Sequence, residues 1–194
     1  QDDSPFAVLD DTLAGFPGDQ LGIIKATDFD NFFGVSDTEN GDNAGPLTAE
    51  WTFDISAATG GLELSIDLAA MGDFEDPEDV FQFEISLDGA PFVTAFTAVA
   101  EEALTQDYTL ESGTLVSDLV DPLSVDGVLL SNEFQTFTEL IGGTGSELTL
   151  RFTSETNGTE AFAFRNIVIM GLTSAGLPGD FNDDGVVNAA DYAV

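Results

Sequence analysis

The stretch Leu62-Glu63-Leu64-Ser65-Ile66-Asp67-Leu68 alternates an aliphatic residue with an acidic or hydroxylic one at every step. Side chains on a β-strand point to opposite faces in turn, so this pattern describes a strand with one dry face and one wet face. The same period recurs on both sides of it. Trp51, Phe53 and Ile55 share a side in Glu50–Ile55, and Phe81, Phe83, Ile85 and Leu87 share one in Phe81–Leu87. Leu148, Leu150 and Phe152 do so in Glu147–Ser154. Strict alternation is the mark of antiparallel sheets packed on one face only.

Turn residues separate these runs. Thr59-Gly60-Gly61 precedes Leu62, and Asp88-Gly89 joins Phe81–Leu87 to Pro91–Val99 as a tight hairpin of the kind that requires positive φ. Gly142-Gly143-Thr144-Gly145 divides Phe134–Ile141 from Glu147–Ser154, and Asn157-Gly158 stands before Ala161–Met170. Helical periodicity is nearly absent; Glu101–Gln106 and Leu115–Val120 read as short isolated turns. Roughly eight to ten short strands so spaced predict an all-β, antiparallel two-sheet jelly-roll sandwich. The predicted organisation is an N-terminal extended segment over 1–19, the sandwich over 20–172, a linker over 173–179 and a calcium loop over 180–194. Phe6–Leu9 in the first segment reads as an extra strand, which pairs in its own sheet or adds to the edge of a neighbouring copy.

Composition narrows the function. The 194 residues carry 37 Asp plus Glu against three cations, Lys25, Arg151 and Arg165, for a net charge of −34. A chain so acidic has no electrostatic grip on nucleic acid or anionic lipid. With no His and no Cys there is no Ser-His-Asp triad, no Cys-His nucleophile and no ordinary zinc site. The chain is nevertheless 43% hydrophobic and 10% aromatic, which separates it from acidic disordered tails. It begins at Gln1 without a cationic n-region or an apolar run of about 18 residues, as expected of a processed secreted protein with no membrane insertion. Paired carboxylates can catalyse glycoside hydrolysis, but among 37 acids any pair can be found, so no catalytic site is assigned.

One motif is specific. Asp180-Phe-Asn182-Asp-Asp184-Gly185-Val186-Val-Asn188-Ala-Ala-Asp191 supplies oxygen at each alternate position and ends on a carboxylate. Calcium takes about six to eight hard oxygen ligands, and a loop of this spacing provides them. The predicted ligands are Asp180, Asn182, Asp184, the Val186 carbonyl, Asn188 and Asp191, with Gly185 at the sharp turn. Asp191 stands where the ordinary hand has Glu, and Asn-Ala-Ala-Asp-Tyr opens a helix. In these features the segment resembles the first calcium-binding half of a type I dockerin. That resemblance implies docking onto a cohesin-like domain of another extracellular protein.

The body carries a second resemblance. Asp30-Asn31-Phe32-Phe33-Gly34-Val35 and Ala163-Phe164-Arg165-Asn166-Ile167-Val168-Ile169 resemble the ends of jelly-roll modules of bacterial secreted proteins. Several such modules bind carbohydrate or act in adhesion, and many hold a structural calcium near a final-strand Asn or Asp. The resemblance therefore implies a role for Asn166, with Arg165 standing where those modules usually have Asp. Further oxygen-rich clusters are candidate cation sites: Asp28, Asp30, Asp37, Glu39, Asp42 and Asn43 in one loop, and Gly72–Asp79 in another. Of the rings suited to stacking on sugars, Trp51 is in phase with the core, Tyr108 is expected at the surface, and Tyr192 packs beside the calcium loop.

Together these features predict a secreted, non-catalytic, calcium-binding β-sandwich at the exterior of a bacterium. It would act in assembly or adhesion, by self-association into a surface, matrix or filament structure. The alternative is a carbohydrate-binding accessory module of a larger dockerin-bearing secreted enzyme. The loop assignment has a direct test. Asp180→Ala or Gly185→Pro should remove its calcium uptake in calorimetry, and unchanged uptake would count against these ligands.

Overall fold

The computed structural model describes residues 6–9, 30–41, 43–109, 113–157 and 160–172, with only the backbone described for 6–9. Among them every regular element is a strand. One sheet runs, in spatial order, β1 (Phe6–Leu9), β2 (Phe32–Ser36), β13 (Ala161–Gly171), β4 (Leu62–Met71) and β11 (Gln135–Ile141). The facing sheet runs β10 (Val128–Leu129), β9 (Leu123–Val125), β6 (Val93–Ala100), β5 (Val80–Leu87), β12 (Glu147–Glu155) and β3 (Leu47–Asp54). A separate pair joins β7 (Thr105–Thr109) to β8 (Leu115–Val120). The pairings are antiparallel, and β2 to β5 and β11 to β13 pass back and forth between the sheets. This is the crossing order of a jelly-roll sandwich.

The alternating runs become the core as their period requires. In β4, Leu62, Leu64, Ile66 and Leu68 are buried and Glu63, Ser65 and Asp67 stand on the other face. The middle of the sandwich is aromatic. Phe81 and Phe83 of β5 and Phe152 of β12 meet Phe162 and Phe164 of β13 across the gap between sheets. Phe81 stacks on Phe162 at 4.7 Å, and Phe83 and Phe152 approach Phe164 at 5.2 Å and 4.9 Å. Sheets pack about 10 Å apart, a gap that phenylalanine rings fill from both sides. Such ring pairs add about 0.5–1.5 kcal/mol each beyond burial.

The Asp88-Gly89 hairpin forms as predicted, with φ of 48° and 75° at the two residues. Asp88 also ties this turn to the start of β12, because its Oδ1 accepts from the Ser146 N–H, the Ser146 hydroxyl and the Glu147 N–H. Phe6–Leu9 is a strand, and it pairs with β2 of its own sheet.

Leu115–Val120 corrects the sequence reading: it is a strand, not an isolated turn. The pairing steps from Gln106↔Leu119 to Tyr108↔Val116, so β8 spends three residues where β7 spends two. Asp118 supplies the extra residue at φ 58°, and its N–H bonds to the Asp107 carboxylate at 2.9 Å. This β-bulge sets Val116 and Leu119 on one side at a spacing of three, which mimics a helical repeat. Tyr108 is also corrected. It is 1% exposed, its hydroxyl has no hydrogen-bond partner, and burial raises its ionisation far above the usual phenol range.

Phe162 touches the rings of both sheets, so Phe162→Ala should destabilise the fold by about 3–5 kcal/mol. Denaturant unfolding checks this, and Phe162→Leu should cost clearly less.

Candidate functional site

The last strand changes phase in its middle. Phe162 and Phe164 face the core, and so do Ile167 and Ile169, although these pairs differ in parity. The shift occurs at a β-bulge between Arg165 and Val168, where Asn166 takes a φ of 53°. Asparagine tolerates this left-handed conformation better than most side chains. Without the extra residue, Ile167 and Ile169 would turn to solvent.

The bulge also opens a site. β2 pairs with β13 only from Ala161 to Phe164, so the strand beyond that point has lost this neighbour. A cavity of about 250 Å³ lies there, floored by Phe33, Trp51, Phe164 and Ile167 and rimmed by Asn31, Arg165 and Asn166. Trp51 is half-buried and meets Phe33 and Phe164 edge-on at 5.8 Å and 5.7 Å. Its membership of the Trp51–Phe53 row is as the alternation predicts. The row itself is only half-buried, because β3 is the edge strand of its sheet.

The polar rim is held by Asp67 on the outer face of β4. Its carboxylate accepts from Asn166 Nδ2 at 2.7 Å and Thr136 Oγ1 at 2.6 Å, and lies 3.7 Å from Arg165 Nε. Arg165 reaches Asp30 at 3.8 Å and lies over the Phe134 ring at 4.0 Å. Two carboxylates thus offset the guanidinium. The exposed chemistry is an aromatic floor with amide groups beside it, suited to a ligand with apolar faces and hydrogen-bonding edges.

Of the residues singled out from the sequence, Asp30 and Asn166 therefore come together around Arg165 and Asp67. Asp37 lies at the opposite end of β2, in a turn knit by amides: Asn40 Nδ2 donates to the Asp37 carbonyl at 2.8 Å, and Asn43 Nδ2 to the Thr38 and Gly45 carbonyls at 2.6 Å. Asp28, Asp42 and the loop ligands Asp180, Asn182, Asp184, Val186, Asn188 and Asp191 lie outside the described residues, as does Tyr192. Asp67 escaped notice in the sequence because it reads as one more wet-face residue of a strand.

The other end of the sandwich is acidic. The β4–β5 loop is pinned by buried Phe74, whose N–H bonds to the Asp121 carbonyl at 3.0 Å. Glu75 and Asp79 close a turn in which the Glu75 N–H donates to Asp79 Oδ2 at 2.8 Å. Glu160 enters from the loop before β13. Gly72 makes room for it, since a Cβ there would meet the Glu160 Cα at 2.9 Å. Glu160 is 8% exposed and Asp79 9%, and each keeps one buried oxygen, Oε2 and Oδ1, without a hydrogen-bond partner. Desolvation, reinforced by the fields of Asp79, Glu75 and Asp73, pushes the Glu160 carboxyl up to about 7. Asp73 and Glu75 are raised as well, first by burial and then by Asp121 and Asp79 respectively.

The sequence matches no protein-family model and no curated protein. Solved structures give distant likenesses. One is a Clostridium thermocellum endo-1,4-beta-D-xylanase with a carbohydrate-binding module, in complex with xylohexaose: 10% identity, TM-score 0.38, covering 89% of this chain. This chain spans only 25% of the length of that xylanase chain. The xylan-binding domain of a Paenibacillus barcinonensis protein is 12% identical with a TM-score of 0.32, over 75% of this chain and 74% of that one. A family 30 carbohydrate-binding module of a Clostridium thermocellum cellulosomal cellulase is 14% identical with a TM-score of 0.39, over 88% and 84%.

The acidic end makes stability depend on pH with a definite sign. Glu160 holds its proton to about 7 when folded, against 4.5 as the ordinary value, so between these limits the folded state binds more protons than the unfolded one. Its contribution to stability therefore falls as pH rises from about 4.5 to 7 and is flat above that. Asp54 and Asp88, lowered by hydrogen bonds from Ser56 and Ser146, act in the opposite sense and only as pH falls through and below the ordinary 3.8. In chelator, unfolding free energies across this range should show a shallower fall for Glu160→Gln than for the wild type.

Proposed function

We propose that this chain is a secreted, non-catalytic carbohydrate-binding β-sandwich module, and that a neutral glycan binds at the Trp51 cavity. One observation carries the reading. The chain's single tryptophan stands half-exposed on the floor of a cavity that the Asn166 bulge opens, with Asn31, Arg165 and Asn166 on the rim. Sugar rings present apolar C–H faces and hydroxyl edges, which match an aromatic floor flanked by amides. Charge favours a neutral ligand. The net charge of −34 repels anions, and Asp30 and Asp67 already answer Arg165.

A second role rests on the segment 180–191. Its ligand spacing favours calcium-dependent attachment to another extracellular protein, which would make the sandwich an accessory module of a larger assembly. Calcium-bridged self-association in a matrix or filament is the other form of that role, favoured by the acid-rich surface. Both are compatible with a glycan at Trp51, because the two activities use different residues.

The single tryptophan makes the test clean, since all indole emission reports on this cavity. Titration with neutral gluco-, xylo- and manno-oligosaccharides should shift Trp51 fluorescence for at least one of them. Trp51→Phe should weaken that binding by about tenfold or more, measured by calorimetry, which corresponds to about 1.4 kcal/mol. A silent panel, or equal affinity in the variant, would refute the glycan reading.

A further inference from the structure

The rim of the Trp51 cavity is organised by a residue that does not line it. Asp67 lies on the outer face of β4, and the register sets it between Thr136 of β11 and Arg165 of β13. The bulge then brings Asn166 to the same carboxylate. Oδ1 accepts from the Thr136 hydroxyl at 2.6 Å and Oδ2 from Asn166 Nδ2 at 2.7 Å, with Arg165 Nε 3.7 Å from Oδ2. The Asp67 and Arg165 side chains are only 16% and 15% exposed, so water does little to loosen these contacts.

An ionised carboxylate only accepts hydrogen bonds, whereas a side-chain amide donates from one end and accepts at the other. Asp67 therefore decides which way Asn166 turns its amide. Nδ2 is directed to the carboxylate, and Oδ1 is left as the atom that the amide offers to a ligand. The base of the side chain is fixed too, because Asn166 sits at φ 53° in the bulge. A neutral residue at position 67 would lose this control, since an amide or hydroxyl there bonds to either end.

The same carboxylate holds Arg165, the only cation among the described residues that line the cavity. The guanidinium is drawn between Asp67 and Asp30 and lies over the Phe134 ring at 4.0 Å. The three charged groups keep one net negative charge. A ligand thus meets an amide acceptor and no surplus of positive charge. Sugar hydroxyls donate as readily as they accept, and they satisfy such a rim. A sugar carboxylate only accepts; it meets Oδ1 as another acceptor and is repelled by the residual charge.

We propose that Asp67 is a positioning residue that sets the specificity of the Trp51 cavity. Through Asn166 and Arg165 it selects uncharged sugar units over uronic-acid units. The inference rests on the glycan reading of that cavity and adds to it the group that discriminates among glycans.

Calorimetry on the full chain tests this, with neutral gluco-, xylo- and manno-oligosaccharides each beside a uronic-acid-bearing counterpart. Every variant is measured well below its own melting temperature, so that a loss of stability does not register. Asp67→Asn keeps the shape of the side chain and removes the fixed acceptor. It should weaken the neutral ligand by about three- to tenfold, the range of one hydrogen bond. It should also narrow the preference over the charged counterpart by about threefold or more. Asn166→Gly removes the amide and tolerates the positive φ. In that background Asp67→Asn should weaken the neutral ligand by less than about twofold further, because the two residues act as one unit. The proposal is overturned if Asp67→Asn binds both ligands like the wild type, or weakens both by the same factor, as a purely structural role would. It is also overturned if its loss adds in full to that of Asn166→Gly, or if the wild type prefers the charged ligand. All these outcomes leave the glycan reading intact. A wild type that binds none of the panel overturns that reading, and this role with it.

Discussion

Five phenylalanine rings in the gap between the sheets hold this molecule together. Phe81, Phe83 and Phe152 from one sheet meet Phe162 and Phe164 from the other, and Phe83 and Phe152 are register partners on adjacent strands. A surface carrying 37 acids repels itself, and hydrogen bonds within separate sheets do nothing to hold one sheet against the other. Burial of large apolar rings is the term able to offset both that repulsion and the entropy of ordering the chain. The acids are tolerated because the two-residue period turns them to the outer faces, where water and ions screen them.

The candidate glycan site is a by-product of how the last strand keeps its place in this core. Phe162 and Phe164 lie in one phase and Ile167 and Ile169 in the other, and the bulge at Asn166 reconciles them. Both pairs remain inward, and Arg165 and Asn166 are turned toward Asp67 on the outer face. The interruption also coincides with the end of the β2 pairing, which leaves Trp51 open to solvent through the gap. Core packing and ligand access thus share one backbone irregularity, a frequent arrangement at binding sites in β proteins.

The two ends of the sandwich solve the charge problem differently. Around the bulge, Arg165 is a built-in cation for Asp30 and Asp67, and the three groups keep only one net negative charge. At the start of β13, Glu160 and Asp79 each keep a buried oxygen without a hydrogen-bond partner, and burial raises the Glu160 carboxyl instead. The contrast leaves the rim around the bulge suited to an uncharged ligand and the acidic end sensitive to pH.

Much of the fold was legible in the residues themselves. The alternation in Leu62–Leu68, Phe81–Leu87 and Glu147–Ser154 specified strands and their buried faces, because side-chain direction on a strand depends on parity alone. Asp88-Gly89 specified its hairpin because few residue pairs accept two positive φ angles. Leu115–Val120 was misread because a bulge at Asp118 turns a strand's period of two into a local spacing of three. The same device at Asn166 leaves its trace in Phe164 and Ile167, but which strand end lies open beside it depends on β2, more than a hundred residues away. Sequence by itself determined the sheet class, the inward rows, the anionic surface and the calcium-loop spacing at 180–191, all of which are local or compositional. Only tertiary structure decided that Trp51 borders a cavity, that Tyr108 is buried and that Glu160 is buried against Gly72, because each depends on contacts between distant segments that no local pattern encodes.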